Sequence, residues 1–319
     1  MRNPKVSVIM SVYKEPVEWL HESIDSILNQ TFTDFEFIII CDNPSYDEGK
    51  VLLHSYKEKD NRIVIIENEQ NIGLTKSLNK GLAIAKGEYI ARMDADDISL
   101  PERFEKQVAY LDNHPKIGVC GSAISFFGSK TGEKTYPLSM DNIWLFLESC
   151  FAHPTVMIRH GVLAGLTYNE ECVVSQDYNL WVDLFSQGIL FGNLQEPLLN
   201  YRYSSQQIMS TKGNLQIEIS KKIRRKALRK YYEKKGLNSD FISEDWQLEF
   251  ADKIIKDLNL QNVENVKKQL IYYTFLSIKK SVFYIVYVLV FHGYLSRMNL
   301  RDLMLLLYLK IKRINFSKF

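Results

Sequence analysis

The chain of 319 residues is 46% hydrophobic and 24% charged, with a formal net charge of +2, which excludes a disordered or fibrous protein and leaves room for a sizeable core. The near neutrality hides a split: residues 214–319 hold 21 Lys and Arg against 10 Asp and Glu, and residues 1–213 hold 19 against 28. An acidic front and a basic rear argue against nucleic acid as a partner and turn the rear toward an anionic surface.

Cys41, Cys120, Cys150 and Cys172 form no Cys-x-x-Cys pair, so neither a zinc site nor a disulfide framework is indicated. The apolar run after Met1-Arg2-Asn3-Pro4-Lys5 is too short for a signal-peptide core. The expectation is reduced thiols and a cytoplasmic location.

Val6-Ser7-Val8-Ile9-Met10-Ser11-Val12 is β-rich and mostly apolar, the pattern of a buried parallel strand. Leu20, Ile24, Ile27 and Leu28 then recur at helical spacing within residues 17–30. Residues 35–41 form a second strand that ends at Asp42-Asn43-Pro44. Residues 46–59 predict a surface helix, 63–67 a third strand, and 74–86 a helix with Leu78, Leu82 and Ala85 on one face and Gly87 as its stop. Tyr89-Ile90-Ala91-Arg92-Met93 is the fourth strand, and it delivers Asp94-Ala95-Asp96-Asp97.

Strands alternating with helices imply an α/β fold with a doubly wound, mostly parallel sheet, in which ligands collect beyond the carboxyl ends of the strands. Ser11 and Tyr13, Asp42 and the Asp94 cluster should therefore converge on one edge. Carboxylates packed into one turn repel unless water or a cation is present. Asp94 and Asp96, one residue apart, suit Mg²⁺ or Mn²⁺. The alternative is a solvated acidic turn that caps a helix beginning near Pro101. Tyr13 is an aromatic ring able to stack on a base, and Asp42 a carboxylate able to accept from a uracil N–H. Neither a Gly-x-Gly-x-x-Gly turn nor a Gly-Lys-Ser/Thr loop is present, so a dinucleotide fold and a P-loop enzyme are unsupported.

The run from Lys5 to about Tyr203 resembles inverting family 2 glycosyltransferases of the GT-A fold, which build bacterial capsule, O-antigen and exopolysaccharide. The resemblance rests on the first strand through Tyr13, on Gln30-Thr31-Phe32-Thr33-Asp34-Phe35-Glu36 and on Asn71-Ile72-Gly73-Leu74. It continues through Gly87-Glu88 and the fourth strand to Asp97, and through Leu100-Pro101-Glu102-Arg103-Phe104. It implies a nucleotide-sugar site at Ser11, Tyr13, Glu15, Asp42, Asn71, Arg92, Asp94 and Ala95, with Ser11, Tyr13 and Asp42 where the family holds uridine. It also implies a Mn²⁺ or Mg²⁺ site at Asp94 and Asp96, with Asp96 as the direct ligand.

Beyond Val119-Cys120-Gly121-Ser122 the alternation weakens, and residues 123–195 should cover the sugar end of the donor. His153-Pro154 opens a strand-like segment. His153 could line the acceptor cleft or be a satisfied structural histidine. Val174-Ser175-Gln176-Asp177-Tyr178 opens a helix with Leu180, Trp181, Leu184 and Phe185 inward and Gly188 as its stop. An Asp in a first helical turn is favoured by the helix dipole alone. By the resemblance, Gln176-Asp177 aligns with the family's Glu-Asp motif, which makes Asp177 the general base and leaves Gln176 on the acceptor side. Tyr201-Arg202-Tyr203-Ser204 departs from the family's Tyr-Arg-x-His, so Ser204 cannot fully replace the family histidine at the metal or diphosphate. The processive Gln-x-x-Arg-Trp signature is absent, which implies one sugar per encounter.

In the rear, Leu215, Ile219, Ile223, Ala227 and Tyr231 recur among Lys and Arg, a membrane-surface helix or a solvated one. Residues 281–295 are nearly all apolar but fall short of the ~20 needed to span a bilayer. Leu300, Leu303, Met304, Leu307, Ile311 and Ile314 repeat with Lys310, Lys312, Arg313 and Lys318 between and beyond them, the pattern of an interfacial helix.

The expected organisation is a GT-A domain over residues 1–213 and a helical, membrane-associating region over 214–319, peripheral on the inner face of the cell membrane. The alternative for the rear is helices packed on the front domain or on a second subunit, which would make a homo-oligomer. The expected partners are a UDP-sugar donor carrying a hexose or N-acetylhexosamine and a polyprenyl-diphosphate-linked saccharide acceptor. The rival readings are a nucleotidyltransferase that uses the same sheet edge, and a catalytically impaired nucleotide-sugar binder.

Overall fold

A computed structural model describes residues 3–138, 149–204, 213–234, 236–240 and 242. The chain divides into one compact unit of residues 1–227 and another of residues 228–319. The first unit begins with the expected alternation: β1 (Val6–Val12), α1 (Val17–Leu28), β2 (Phe35–Cys41), α2 (Asp47–Lys59), β3 (Ile63–Glu67), α3 (Leu74–Ile84) and β4 (Tyr89–Asp94). There follow β5 (Ile98–Ser99), α4 (Arg103–Asn113), β6 (Ile117–Gly128) and β7 (Gly132–Lys134). After a 3₁₀ turn at His153–Thr155 come β8 (Met157–Arg159), α5 (His160–Leu163), α6 (Gln176–Ser186), β9 (Leu190–Tyr203) and α7 (Gly213–Lys234).

One sheet runs in the order β3-β2-β1-β4-β8-β6-β9-β5, with β7 paired to β6. β3, β2, β1 and β4 are parallel, and β8 is antiparallel between β4 and β6. β1, β2 and β4 are largely buried because α1 and α3 cover them, and β3 at the edge is partly exposed. Leu20, Ile24 and Ile27 of α1 are fully buried, each contributing roughly 1.5–3 kcal/mol of burial. These apolar runs fold as the periodicity predicts.

Gly87 has a role other than helix stop. The backbone of α3 ends at Ala85, which is extended, and Gly87 lies where a Cβ would sit 2.4 Å from the Ser7 amide nitrogen. Its own N–H donates to Ser7 Oγ at 2.8 Å, and Ser7 Oγ donates to Glu36 Oε1 at 2.6 Å. Backbone cannot yield as a flexible side chain can. Gly87→Ala is expected to destabilise by ~1–3 kcal/mol, read as a lower midpoint of chemical denaturation with an unchanged slope.

β9 and its long pairing with β6, broken by register shifts between Ile117 and Ser125, lie outside the alternation read from sequence. A polar girder locks α4 beneath β4. Arg103 is fully buried; its Nη2 donates to the Arg92 carbonyl at 2.7 Å and its Nε to Gln107 Oε1 at 3.0 Å. No carboxylate is among these partners, and burial lowers the Arg103 pKa to about 9. Gln30 accepts from the Phe104 N–H at 3.0 Å and donates to the Leu100 carbonyl at 2.8 Å. Two motifs of the sequence are thus joined by one side chain.

In α7, Ile223, Ala227 and Tyr231 are buried and Leu215 is exposed, so most of this apolar stripe is spent on packing within the protein. No described helix is long and apolar enough to cross a membrane. The apolar segments 281–295 and 300–314 lie outside the described residues.

Candidate active site

Parallel register brings the strand ends together: Ser11 of β1 stands opposite Asp94 of β4 and Ile40 of β2. Ser11 is half-buried, and Tyr13 just beyond is 40% exposed, which leaves its ring open to stack. Glu15 folds back, its Oε2 accepting from the N–H groups of Tyr13 and Lys14 at 2.8 and 3.1 Å. Burial raises the Glu15 pKa against the pull of the Tyr13 N–H, and Asp94 adds to the rise.

Asp42 is 3% exposed. Its Oδ1 accepts from Asn68 Nδ2 and the Ile72 N–H, and its Oδ2 from the Gly73 N–H, at 2.8, 2.9 and 2.8 Å. Asp42 therefore anchors the loop that carries Asn71, whose own Oδ1 also accepts from the Gly73 N–H at 3.0 Å. Gly73 has φ 86°, a conformation that glycine adopts without strain. A carboxylate offers about four lone-pair sites, so Asp42 retains capacity for one further donor.

The acidic turn is held through the Asp94 and Asp96 carbonyls and the Asp97 carboxylate. Ser23 Oγ of α1 donates to the Asp94 carbonyl at 2.8 Å. Arg202 of β9 donates from Nε to the Asp96 carbonyl at 2.7 Å and from its backbone N–H to Asp97 Oδ1 at 2.8 Å. The Arg202 guanidinium also lies 4.6 Å from the Trp19 ring and 4.3 Å from that of Phe127. Carboxylate oxygens of Asp94, Asp96 and Asp97 all fall within 4.8 Å of one another. Burial, with Asp94 and Glu15 close by, pushes Asp96 up to about 7. Burial, with Asp94 and Asp96, raises Asp97 well above the usual range. Ala95 between them is buried at 3% exposure.

Arg92 lies against this turn. Its side chain is 4% exposed and forms an ion pair with Asp94, and its Nε is buried without a hydrogen-bond partner. Asp177 lies in the first turn of α6 and is half-buried. Burial raises its pKa, opposed by the Tyr178 N–H and then by Arg92. A carboxylate raised above its ordinary range is better matched to accepting a proton at neutral pH than a free aspartate.

His153 Nε2 lies 2.9 Å from Tyr168 Oη, and its ring packs near Trp181 with centroids 6.1 Å apart. Burial, then Arg92, lowers its pKa well below the ordinary value, so it is a neutral imidazole with a tyrosine partner. Asn79 of α3 pins Tyr168 from both sides, donating to its carbonyl and accepting from its N–H at 2.9 Å each. Gln176, at the start of α6, is buried at 7% exposure.

Residues 7–169 match the family described as Glycosyl transferase family 2. The chain belongs to this family. It is 39% identical over 208 residues to an uncharacterized glycosyltransferase of Methanocaldococcus jannaschii, which covers 63% of this chain and 72% of that protein. It is 40% identical over 205 residues to the O-antigen biosynthesis glycosyltransferase WbnJ of Escherichia coli, covering 62% and 79%. Among solved structures, S. aureus TarS in complex with UDP-GlcNAc superposes with a TM-score of 0.61 at 18% identity, covering 86% of this chain and 81% of that one. At that identity the likeness speaks for the fold, and the fold is GT-A.

Within this glycosyltransferase, two residues at the acidic turn lay outside the site read from the sequence: Asp97, named with the cluster but not assigned to the metal, and Arg202 of β9. Asp97 joins Asp94 and Asp96, and its place in the run Asp94-Ala95-Asp96-Asp97 was the available signal. Arg202 clamps the turn from 105 residues away, and only its position beside the departure at Ser204 marked it.

Proposed function

We propose that this family 2 glycosyltransferase transfers a hexose or N-acetylhexosamine from a UDP-sugar to a hydroxyl of a lipid-linked oligosaccharide in surface polysaccharide synthesis, with inversion at the anomeric carbon. The observation that carries the reading is the acidic turn, where carboxylate oxygens of Asp94, Asp96 and Asp97 fall within 4.8 Å of one another at the end of a parallel strand whose Asp94 stands opposite Ser11. The O-antigen name of the Escherichia coli relative and the UDP-GlcNAc bound to TarS support the pathway class and the donor.

In this reading the acceptor hydroxyl attacks the anomeric carbon from the face opposite UDP. Asp177 takes the hydroxyl proton as the new bond forms, and UDP departs with the electrons of the broken bond. One carboxylate suffices, with no covalent intermediate. Tyr13 stacks on the uracil, Ser11 and Asp42 bound the uridine, and the unpartnered Nε of Arg92 donates to the donor.

The acidic turn fits a divalent cation. Its donors are carboxylate oxygens, the ligands such ions prefer, and Asp97 Oδ2 is buried without a hydrogen-bond partner. Asp94 and Asp96 would hold Mn²⁺ or Mg²⁺, with Asp97 beside them. When bound there, such an ion would supply positive charge against the leaving diphosphate. The presence of Asp94, Asp96 and Asp177 together argues against an impaired binder.

The test is release of UDP from a panel of UDP-sugars by purified protein with and without Mn²⁺. Release from at least one of them, abolished by chelation, is expected. Release from none of them, or release indifferent to chelation, would contradict the reading.

A further inference from the structure

Ser175 stands directly before the helix that carries Asp177, with φ 57°. The left-handed region costs a non-glycine residue roughly 1–2 kcal/mol, so something outside the residue must hold it there. No side-chain bond to its own helix does so. Its Oγ instead lies 3.0 Å from Ser220 Oγ on α7, and Ser175 is only 7% exposed.

A second tie lies further along the same pair of helices. Lys226 Nζ of α7 donates to Asn179 Oδ1 at 3.1 Å and to Asp183 Oδ2 at 3.0 Å. Asn179 Nδ2 also donates to Asp183 Oδ2 at 2.9 Å, and the Asn179 N–H to the Ser175 carbonyl at 3.1 Å. Asn179 and Asp183, four residues apart, share one face of α6, and Ser175 adjoins that face through its carbonyl. Asp177, two residues from Asn179, falls about 200° round the helix from it. The ties therefore brace α6 from behind the base.

We propose that Ser220 and Lys226 are positioning residues that set the orientation of Asp177, so that α7, which lies beyond the family match ending at residue 169, completes the active site. This rests on the reading of Asp177 as the base. A misplacement of a catalytic group by about 1 Å lowers rates by up to ~100-fold, so a slackened brace predicts a loss in turnover and none in donor binding.

The experiment compares full-length wild type with Ser220→Ala, Lys226→Met, Lys226→Arg and Asp177→Asn. It follows hydrolytic UDP release from whichever of UDP-glucose, UDP-galactose and UDP-GlcNAc the wild type turns over fastest, with kcat expressed per UDP-binding site. Ser220→Ala and Lys226→Met are expected to lower kcat roughly 10-fold with KM for the UDP-sugar unchanged, and Lys226→Arg to restore most of it. Counting UDP-binding sites removes any unfolded fraction. Wild-type kcat per site in both brace variants, with Asp177→Asn inactive, overturns the inference alone. Wild-type turnover in Asp177→Asn overturns the base and the inference with it.

Discussion

Asp177→Asn should lower turnover by on the order of 10²–10⁴-fold while UDP affinity stays near wild type. Asparagine preserves shape and the bond to the Tyr178 N–H but cannot take a proton. Kinetics of UDP release, with UDP binding measured by titration calorimetry, give both quantities. Collapse of UDP binding with turnover intact at saturation would move Asp177 to the donor site or the fold. The pH profile carries the same information. Burial raises the Asp177 pKa, and a base works when deprotonated. Turnover should therefore be full above that raised value and fall as pH drops through it, with the acid limb lying above the ordinary carboxylate range near 3.9. An acid limb at that ordinary value would show that Asp177 is not the titrating group.

Asp96→Asn should abolish metal-stimulated UDP release and weaken Mn²⁺-dependent UDP binding by at least about 10–100-fold, the loss that even outer-shell changes produce. The electrostatics let folding be separated from metal binding. Asp96 has its pKa raised to about 7, above the unfolded value near 3.9. The folded state thus binds more protons than the unfolded one between those values, and stability from this group falls as pH rises through that window. Ionised Asp96 is a cost to the metal-free fold above about pH 7. Asparagine removes that cost, so the metal-free variant should melt no lower than wild type at pH 8 yet gain nothing from added Mn²⁺. Undiminished activity across a Mn²⁺ titration would remove Asp96 from the metal site.

Legibility in the sequence followed the physics of each region. β1, β2 and β4 were readable because a strand buried on both faces is largely apolar, and α1 because Leu20, Ile24 and Ile27 are spaced for one face. β9 was not, since Gln195-Glu196-Pro197 interrupts it and its register against β6 shifts. The convergence of Ser11 and Asp94 followed from parallel topology. The clamp by Arg202, the girder of Arg103 and Gln107, and the brace of Ser220 and Lys226 depend on contacts between distant segments, which no local period records. Gly87 was misread for a related reason. A glycine after a helix suggests a left-handed cap, whereas here the constraint is the close approach of Ser7.

The anomeric configuration of the sugar freed at early times tests the central claim most directly. Proton NMR of wild-type hydrolysis of an α-linked UDP-sugar, read before mutarotation, should show the β-anomer if water or acceptor displaces UDP in one step with Asp177 as sole base. The α-anomer as first product would require a second displacement or front-face attack and would contradict the account.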